Sequence, residues 1–138
     1  MFKKSIILAI AALAIGGVAL AQTPPANPPL SPSPMKRNIL GKVAVPNSNY
    51  EVTTAMVEIA PGFKAPRHSH PGIVDATVVE GQFWLALDGQ PEKTFTAGQS
   101  FEISDRAIHA EGAIGDKPCK LFVAYVLEKG QPLVIPAK

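Results

Sequence analysis

Two histidines one residue apart are the first residues in this chain whose types and spacing suggest a chemistry. His68 and His70 lie in the stretch PGFKAPRHSHPG, residues 61–72, and are two of only 3 histidines in 138 residues. Residues two apart on a β-strand point to the same face, so both imidazoles can project into one interior. Neutral imidazole is the commonest transition-metal ligand in proteins. The pair alone leaves two interpretations open, a metal site or two polar side chains beside a turn.

Short strands separated by turn residues must position these histidines. Residues 83–87 alternate in the manner of a strand, and they end at Asp88-Gly89, a strong hairpin signal, before residues 93–96 return. Helical periodicity with capping residues is missing after the first 21 residues. The sequence therefore predicts an all-β domain, either a small barrel or a sandwich. The predicted strands are 52–59, 83–87, 93–96, 101–104, 108–113 and 121–127.

The spacing of all three histidines resembles the two sequence motifs of the cupin family. Residues 62–81 are similar to the first motif, G-x5-HxH-x3-E-x6-G, which contains His68 and His70. Residues 98–113 are similar to the second motif, G-x5-P-x-G-x2-H-x3-N, which contains His109. The resemblance, to small exported bacterial cupins in particular, implies a single antiparallel barrel of the double-stranded β-helix or jelly-roll type. It also implies that His68, His70 and His109 bind one metal inside that barrel.

Four positions depart from the two motifs. Val74 stands where the first motif has a glutamate, which in the family is normally a fourth metal ligand. Ser104, Arg106 and Ala113 replace the proline, glycine and asparagine of the second motif, and we expect all three in turns, where they alter loop shape rather than chemistry. The missing glutamate leaves either an open three-histidine site, which we favour, or a site with a carboxylate from elsewhere.

Two acidic residues are candidates for that carboxylate. Glu111 follows His109 by two residues and shares its inward face if the strand is regular, whereas a twist at Gly112 would expose it to solvent. Asp75 adjoins the position without glutamate, but strict alternation points it outward unless the turn at residues 71–72 contains a bulge. Glu111 is accordingly our candidate catalytic residue.

The resemblance also implies a cofactor and a class of function. The cofactor would be one divalent transition metal, Fe, Mn, Zn or Ni, and the substrate a small molecule. We expect a metal-dependent enzyme of the dioxygenase-like type, and the alternative is a non-catalytic cupin that binds a small ligand or a metal. A homodimer is a further expectation, with Trp84 on an outer face that would suit a partner subunit. No clustered basic face of the kind that binds nucleic acid is evident.

The amino-terminal part of the chain carries signals for export. Residues 1–21 combine Lys3 and Lys4 with an apolar run that ends in Ala-Leu-Ala, which predicts a cleavable signal peptide and a periplasmic or secreted protein. The apolar run is short for a membrane span, so we expect no stable membrane insertion after cleavage. Residues 22–36 are rich in proline and predict a flexible linker, which leaves residues 37–137 as the barrel domain. Cleavage would remove Lys3 and Lys4 from the 13 basic residues, so the remaining basic residues would balance the 11 acidic ones.

Overall fold

The computed structural model describes residues 33–138, which contain ten β-strands. The expected signal peptide and linker residues 22–32 lie outside this range, and the first strand includes the last two residues of the segment assigned to the linker. No helix in residues 33–138 is long and apolar enough to cross a membrane. The strands are β1 (Met35–Ala44), β2 (Tyr50–Ile59), β3 (Lys64–Ser69), β4 (Gly72–Glu80), β5 (Gln82–Leu87), β6 (Lys93–Thr96), β7 (Ser100–Ile103), β8 (His109–Ala113), β9 (Cys119–Glu128) and β10 (Ile135–Pro136).

The ten strands form two five-stranded sheets. The first sheet has the order β1-β2-β9-β4-β7 and the second has the order β10-β3-β8-β5-β6. All of the paired strands are antiparallel, and the chain passes repeatedly from one sheet to the other. This arrangement confirms the predicted all-β class and the antiparallel barrel. β1 lies at the edge of the first sheet, and β8 lies at the centre of the second.

Period-two alternation directs one face of each sheet into the shared interior. In β2, for example, Val57 is buried opposite Leu121 of β9, while the next residue, Glu58, is exposed. Each fully buried aliphatic or aromatic side chain of this kind contributes about 1.5–3 kcal/mol to folding. The principal buried apolar residues are Ala55, Val57, Ile59, Val74, Ala76, Val78, Phe83, Leu85, Phe101, Ile103, Leu121, Val123, Tyr125 and Leu127.

All six predicted strands are present, and the hairpin signal is confirmed. β5 pairs with β6, and Gly89 in the connecting turn has a φ of 76°, in the left-handed region that glycine tolerates. One expectation about the motif departures was wrong, because Ala113 lies within β8, buried opposite Phe83, rather than in a turn. A small side chain at this position packs in the core. Ser104 and Arg106 do lie in the connection between β7 and β8.

Candidate metal centre

The fold brings together the three histidines of the chain in the second sheet. His68 lies in β3 directly opposite His109, the first residue of β8, and His70 follows the last residue of β3. All three side chains are buried, and their nearest ligand atoms lie within 4.8 Å of one another. The imidazole centroids are 4.3 to 5.2 Å apart. This is the convergence that a shared metal ion requires.

The segment that carries the two histidines is irregular on the amino-terminal side of both. The pairing of β3 with β8 shifts register between Ala65 and His68, and β3 ends at Ser69. Ala65 and His68 are thus both buried although they are three residues apart, whereas His68 and His70 are two residues apart and both buried, as alternation predicts. Beyond the strand, the Arg106 amide donates a hydrogen bond of 3.0 Å to the His70 carbonyl. Gly72 starts β4 at a point where a Cβ atom would collide with the Val126 carbonyl oxygen.

Hydrogen bonds that the imidazoles donate to main-chain carbonyl oxygens fix the position of one proton on each ring. In every case the Nδ1 atom lies within hydrogen-bond distance of a main-chain carbonyl oxygen, which only accepts, so Nδ1 must carry the proton. The Nε2 atom is then left with its lone pair, the form in which imidazole binds a metal. The three contacts are His68 to Pro66 at 2.8 Å, His70 to Leu133 at 2.5 Å and His109 to Ala107 at 2.9 Å.

The Nε2 atoms of His68 and His109 are buried and have no hydrogen-bond partner among residues 33–138. An unpaired buried lone pair is unfavourable, and a cation is a suitable partner for several that converge. Burial is the main cause that lowers the pKa of His70 and that of His109 to about 4, so both rings are neutral at neutral pH. Three imidazole nitrogen ligands fit a divalent transition metal.

Glu111 lies beside the three histidines and shares the inward face of β8 with His109. Its carboxylate oxygens are 3.8 Å from His68 Nε2 and 3.8 Å from His109 Nε2. These distances are too long for direct hydrogen bonds. Burial raises the pKa of the Glu111 carboxyl, although the nearby His68 and Arg37 act in the opposite direction. The alternative in which Gly112 turns Glu111 to solvent does not hold, because β8 is regular there and Glu111 is buried opposite Leu85.

The position of the missing motif glutamate also faces the interior. Val74 is buried and lines a small internal cavity of about 20 Å³ together with His70, Glu111 and Tyr125. Asp75 is exposed, as strict alternation predicts, and does not reach the site. Glu111 is therefore the carboxylate that the fold places next to the histidines.

A larger cleft of about 330 Å³ opens beside His68. Its walls include the apolar residues Met35, Phe63 and Val134 and the guanidinium-bearing Arg37. Sequence reasoning did not identify Arg37, because β1 was not predicted and a basic residue at a domain boundary carries no signal of its own. Tyr125, whose ring centroid lies 5.7 Å from that of His70, was also missed. Its alternation with Val123 and Leu127 in β9 was the signal that would have placed it inside.

Comparison with known proteins supplies a family for this architecture. Residues 55–125, just over half of the chain, match the family model described as the cupin domain. The match includes His68, His70, His109 and Glu111. No curated protein matches the chain in sequence.

Solved structures of low sequence identity share the fold. Oxalate oxidase is 22% identical with a TM-score of 0.54, and the alignment covers 62% of this chain and 46% of that one. The DMSP lyase DddQ from Ruegeria pomeroyi is 16% identical with a TM-score of 0.61, covering 75% and 51%. A cupin-like protein from Thermotoga maritima is 22% identical with a TM-score of 0.57, covering 75% of each chain. The chain thus spans about half the length of the two enzymes.

Proposed function

The chain belongs to the cupin domain family, and from that premise we propose that it is an exported metal-dependent enzyme of the dioxygenase-like type that acts on a small molecule. The observation that supports this most strongly is the buried group of three imidazoles, two of which have Nε2 atoms without a hydrogen-bond partner within residues 33–138. His68, His70 and His109 would hold one divalent metal, Fe, Mn, Zn or Ni. Such a metal supplies Lewis-acid activation of a substrate or, if it is redox-active, dioxygen chemistry.

Glu111 is the residue that we propose for proton transfer. Its carboxyl lies 3.8 Å from two of the imidazole Nε2 atoms, so it faces the place where a reacting group would sit. A carboxyl whose pKa is raised by burial is a better proton acceptor at neutral pH than an ordinary exposed one. In this proposal Glu111 accepts a proton from the substrate and returns it later in the reaction.

The two enzymes among the structural neighbours are consistent with small-molecule chemistry at this site. One is an oxalate oxidase and the other a DMSP lyase, so barrels of this shape support more than one reaction class. At such identities the likeness concerns the fold, and the choice of reaction rests on experiment.

A second candidate is a non-catalytic cupin that binds a small ligand or a metal. The observation that favours it is the tight packing around the histidines, where the internal cavity measures only about 20 Å³. A substrate must therefore approach through the larger cleft beside His68. If that approach does not bring a substrate to the histidines, the site would hold an ion without turnover.

Metal content followed by dioxygen uptake distinguishes these two functions. The purified protein is analysed for bound metals and then supplied with iron(II) and a panel of enolizable diketones, catechols and flavonols. Dioxygen uptake that disappears in Glu111→Gln but persists in the exposed control variant Glu102→Gln supports the proposal of a metal-dependent enzyme. Tight binding without turnover for any substrate supports the binding module. A protein that binds none of the four metals would contradict the metal-dependent enzyme and would leave only the small-ligand form of the second candidate.

Export and self-association are separate proposals that rest on the sequence. The Ala-Leu-Ala that ends residues 1–21 supports cleavage before Gln22 and a periplasmic or secreted mature protein. Mass spectrometry of the exported protein should give Gln22 as the first residue, and retention of Met1 would contradict cleavage. Sedimentation velocity tests the homodimer, with Trp84→Ala as the variant of its proposed contact face.

A further inference from the structure

Arg37 is directed toward the mouth of the site by the pairing of β1 with β2. Arg37 lies opposite Val57, whose side chain is buried, whereas its neighbour Lys36 lies opposite the exposed Glu58. Directly paired residues of an antiparallel ladder share a face, so Arg37 points to the interior side of the sheet and Lys36 to the outer side. Because β1 is the edge strand, the guanidinium remains accessible to solvent while reaching the opening of the barrel.

Arg37 lines both cavities of the site. Arg37 lines the open cleft of about 330 Å³ with His68, and it also lines the internal cavity of about 20 Å³ with His70 and Glu111. Burial raises the pKa of Tyr125, and the nearby charge of Arg37 opposes that rise. The positive charge of Arg37 therefore lies close both to the open cleft and to the buried side chains of His70 and Tyr125.

Arg37 differs from the other arginines of residues 33–138 because it forms no ion pair, although its charge acts on the carboxyl of the nearby Glu111. Arg67 lines the same cleft but pairs with Asp88, and Arg106 pairs with Glu128. Within residues 33–138 no carboxylate oxygen lies within 4.0 Å of the Arg37 guanidinium nitrogens, the limiting distance for an ion pair. A guanidinium that faces a cleft without such a partner can receive an anion from solution.

We propose that Arg37 is a specificity-determining residue that binds the carboxylate of a small substrate and orients it toward the histidines. The planar guanidinium fork matches a carboxylate with two parallel hydrogen bonds. The apolar side chains of Met35, Phe63 and Val134 would contact the rest of the ligand. A cleft of about 330 Å³ is near the lower end of ligand pockets, so the substrate class is a short monocarboxylate with an apolar body. The orientation toward the histidines rests on the proposed function, whereas carboxylate binding itself does not.

Binding of hexanoate and of its neutral analogue hexanamide tests this assignment by calorimetry. The wild-type protein should bind hexanoate more tightly than hexanamide, both in its metal-free form and when it is loaded with Zn²⁺. Arg37→Gln should weaken hexanoate binding by about tenfold or more, the effect of losing a charged hydrogen bond, and should leave hexanamide unaffected. Lys36→Gln is the matched control, because it removes the same charge from the outer face of the same strand, and it should bind hexanoate like the wild-type protein.

The outcomes separate this inference from the proposed metal function. Equal hexanoate affinity in the wild-type protein and Arg37→Gln, or no preference for hexanoate over hexanamide, would overturn the role of Arg37. Loss of bound Zn²⁺ in Arg37→Gln would overturn it too, since Arg37 would then support the metal site rather than select a ligand. Hexanoate binding that depends on Arg37 in a protein unable to bind any metal would retain the anion site and reject the metal function. Arg37→Lys, which keeps the charge but not the fork, should give an intermediate affinity, and circular dichroism checks that each variant is folded.

Discussion

Two groups of aromatic rings occupy the barrel interior at similar spacing but with opposite chemistry. Phe83 and Phe101 stack at 4.8 Å with an angle of 7° between their planes, and Phe95 lies 4.8 Å from Phe101. We call these three residues the phenylalanine cluster. The histidine cluster, His68, His70 and His109, has centroid separations of 4.3 to 5.2 Å. The phenylalanine rings contact one another through carbon atoms, whereas the imidazoles direct lone pairs toward a common point.

The difference shows that equal burial can serve stability or binding. Phe83 and His109 are both 0% exposed, so depth alone does not distinguish them. Removing Phe83 from water is favourable, and its stacked contacts add to the gain. Burying His109 is unfavourable unless its Nε2 finds a partner, which it lacks among residues 33–138. The phenylalanine cluster therefore stabilises the barrel by itself, whereas under the proposed function the histidine cluster would gain its full stabilisation from a bound cation.

The largest effect is expected from Phe83→Ala. Removing a fully buried phenylalanine leaves a cavity and should lower the free energy of unfolding by about 3–5 kcal/mol. Metal affinity of the folded protein should stay at the wild-type value, because Phe83 belongs to the phenylalanine cluster. Urea denaturation measures the first quantity and a metal competition assay the second. A large loss of metal affinity would mean that the two clusters are not independent.

For His109→Ala we expect the reverse, a large loss of metal affinity and a smaller loss of stability. Loss of one of three ligands should weaken divalent metal binding by more than about 100-fold, since even residues that only support a ligand change affinity by 10–100-fold. The free energy of unfolding of the metal-free protein should fall by less than in Phe83→Ala, because an unpaired buried nitrogen is removed together with the ring. His68→Ala and His70→Ala should behave alike. Normal metal content in any of the three variants would remove that histidine from the site.

Metal addition should stabilise the protein through the histidine cluster alone. Zn²⁺ at 100 times its dissociation constant should raise the free energy of unfolding by about 2.7 kcal/mol. Phe83→Ala should gain the same increment from its lower starting point, whereas His109→Ala should gain less than about 0.4 kcal/mol at the same Zn²⁺ concentration. An increment in His109→Ala equal to that of the wild-type protein would indicate that Zn²⁺ binds elsewhere.

The sequence was sufficient to predict the part of the site that lies on regular strands. Alternation in β8 placed Glu111 on the face of His109, and alternation in β4 turned Asp75 outward. The motif spacing indicated that the three histidines lie together, and the fold brings their ligand atoms within 4.8 Å of one another. These predictions succeeded because period two leaves only two possible faces for each residue.

The parts that escaped prediction depend on contacts distant in sequence. β1 is exposed along most of its length, so it lacks the apolar alternation that marks a half-buried strand. The inward direction of Arg37 comes from its register opposite Val57, which no local pattern encodes. The register shift of β3 against β8 between Ala65 and His68, two buried residues three apart, is likewise a non-local feature.

A smaller effect is expected from Val74→Glu, which tests whether the histidine cluster already has its carboxylate. Val74 and Glu111 line the same cavity of about 20 Å³, so a second carboxylate there should raise the pKa of one of the pair. We expect metal affinity to rise by less than about threefold. Because a free-energy difference of roughly 1 kcal/mol corresponds to about a fivefold change in affinity, the expected gain is below roughly 1 kcal/mol. The double variant Val74→Glu/Glu111→Gln should bind metal more tightly than Glu111→Gln alone. A tenfold or greater gain in Val74→Glu itself would instead favour an open three-histidine site.

The smallest effect is expected at Arg106, where the chain departs from a motif glycine. Arg106 has a φ of 56°, in the left-handed region that glycine adopts readily and that other residues occupy at a cost of about 1–2 kcal/mol. Arg106→Gly would relieve this strain, but it would make the unfolded chain more flexible by about 0.4–1 kcal/mol. It would also remove the ion pair with Glu128, which is worth at most about 1 kcal/mol at the surface.

These opposing terms nearly cancel, so Arg106→Gly should change the free energy of unfolding by less than about 1 kcal/mol. Arg106→Ala is the matched control, since it removes the ion pair but keeps the Cβ atom and its strain, and it should be the less stable of the two. Both variants retain the amide of residue 106, which donates to the His70 carbonyl at 3.0 Å, so both should bind metal like the wild-type protein. Weaker metal binding in both variants would show that the guanidinium, through Glu128, helps to hold His70 in place. The histidine cluster would then depend on a surface contact, as the phenylalanine cluster does not.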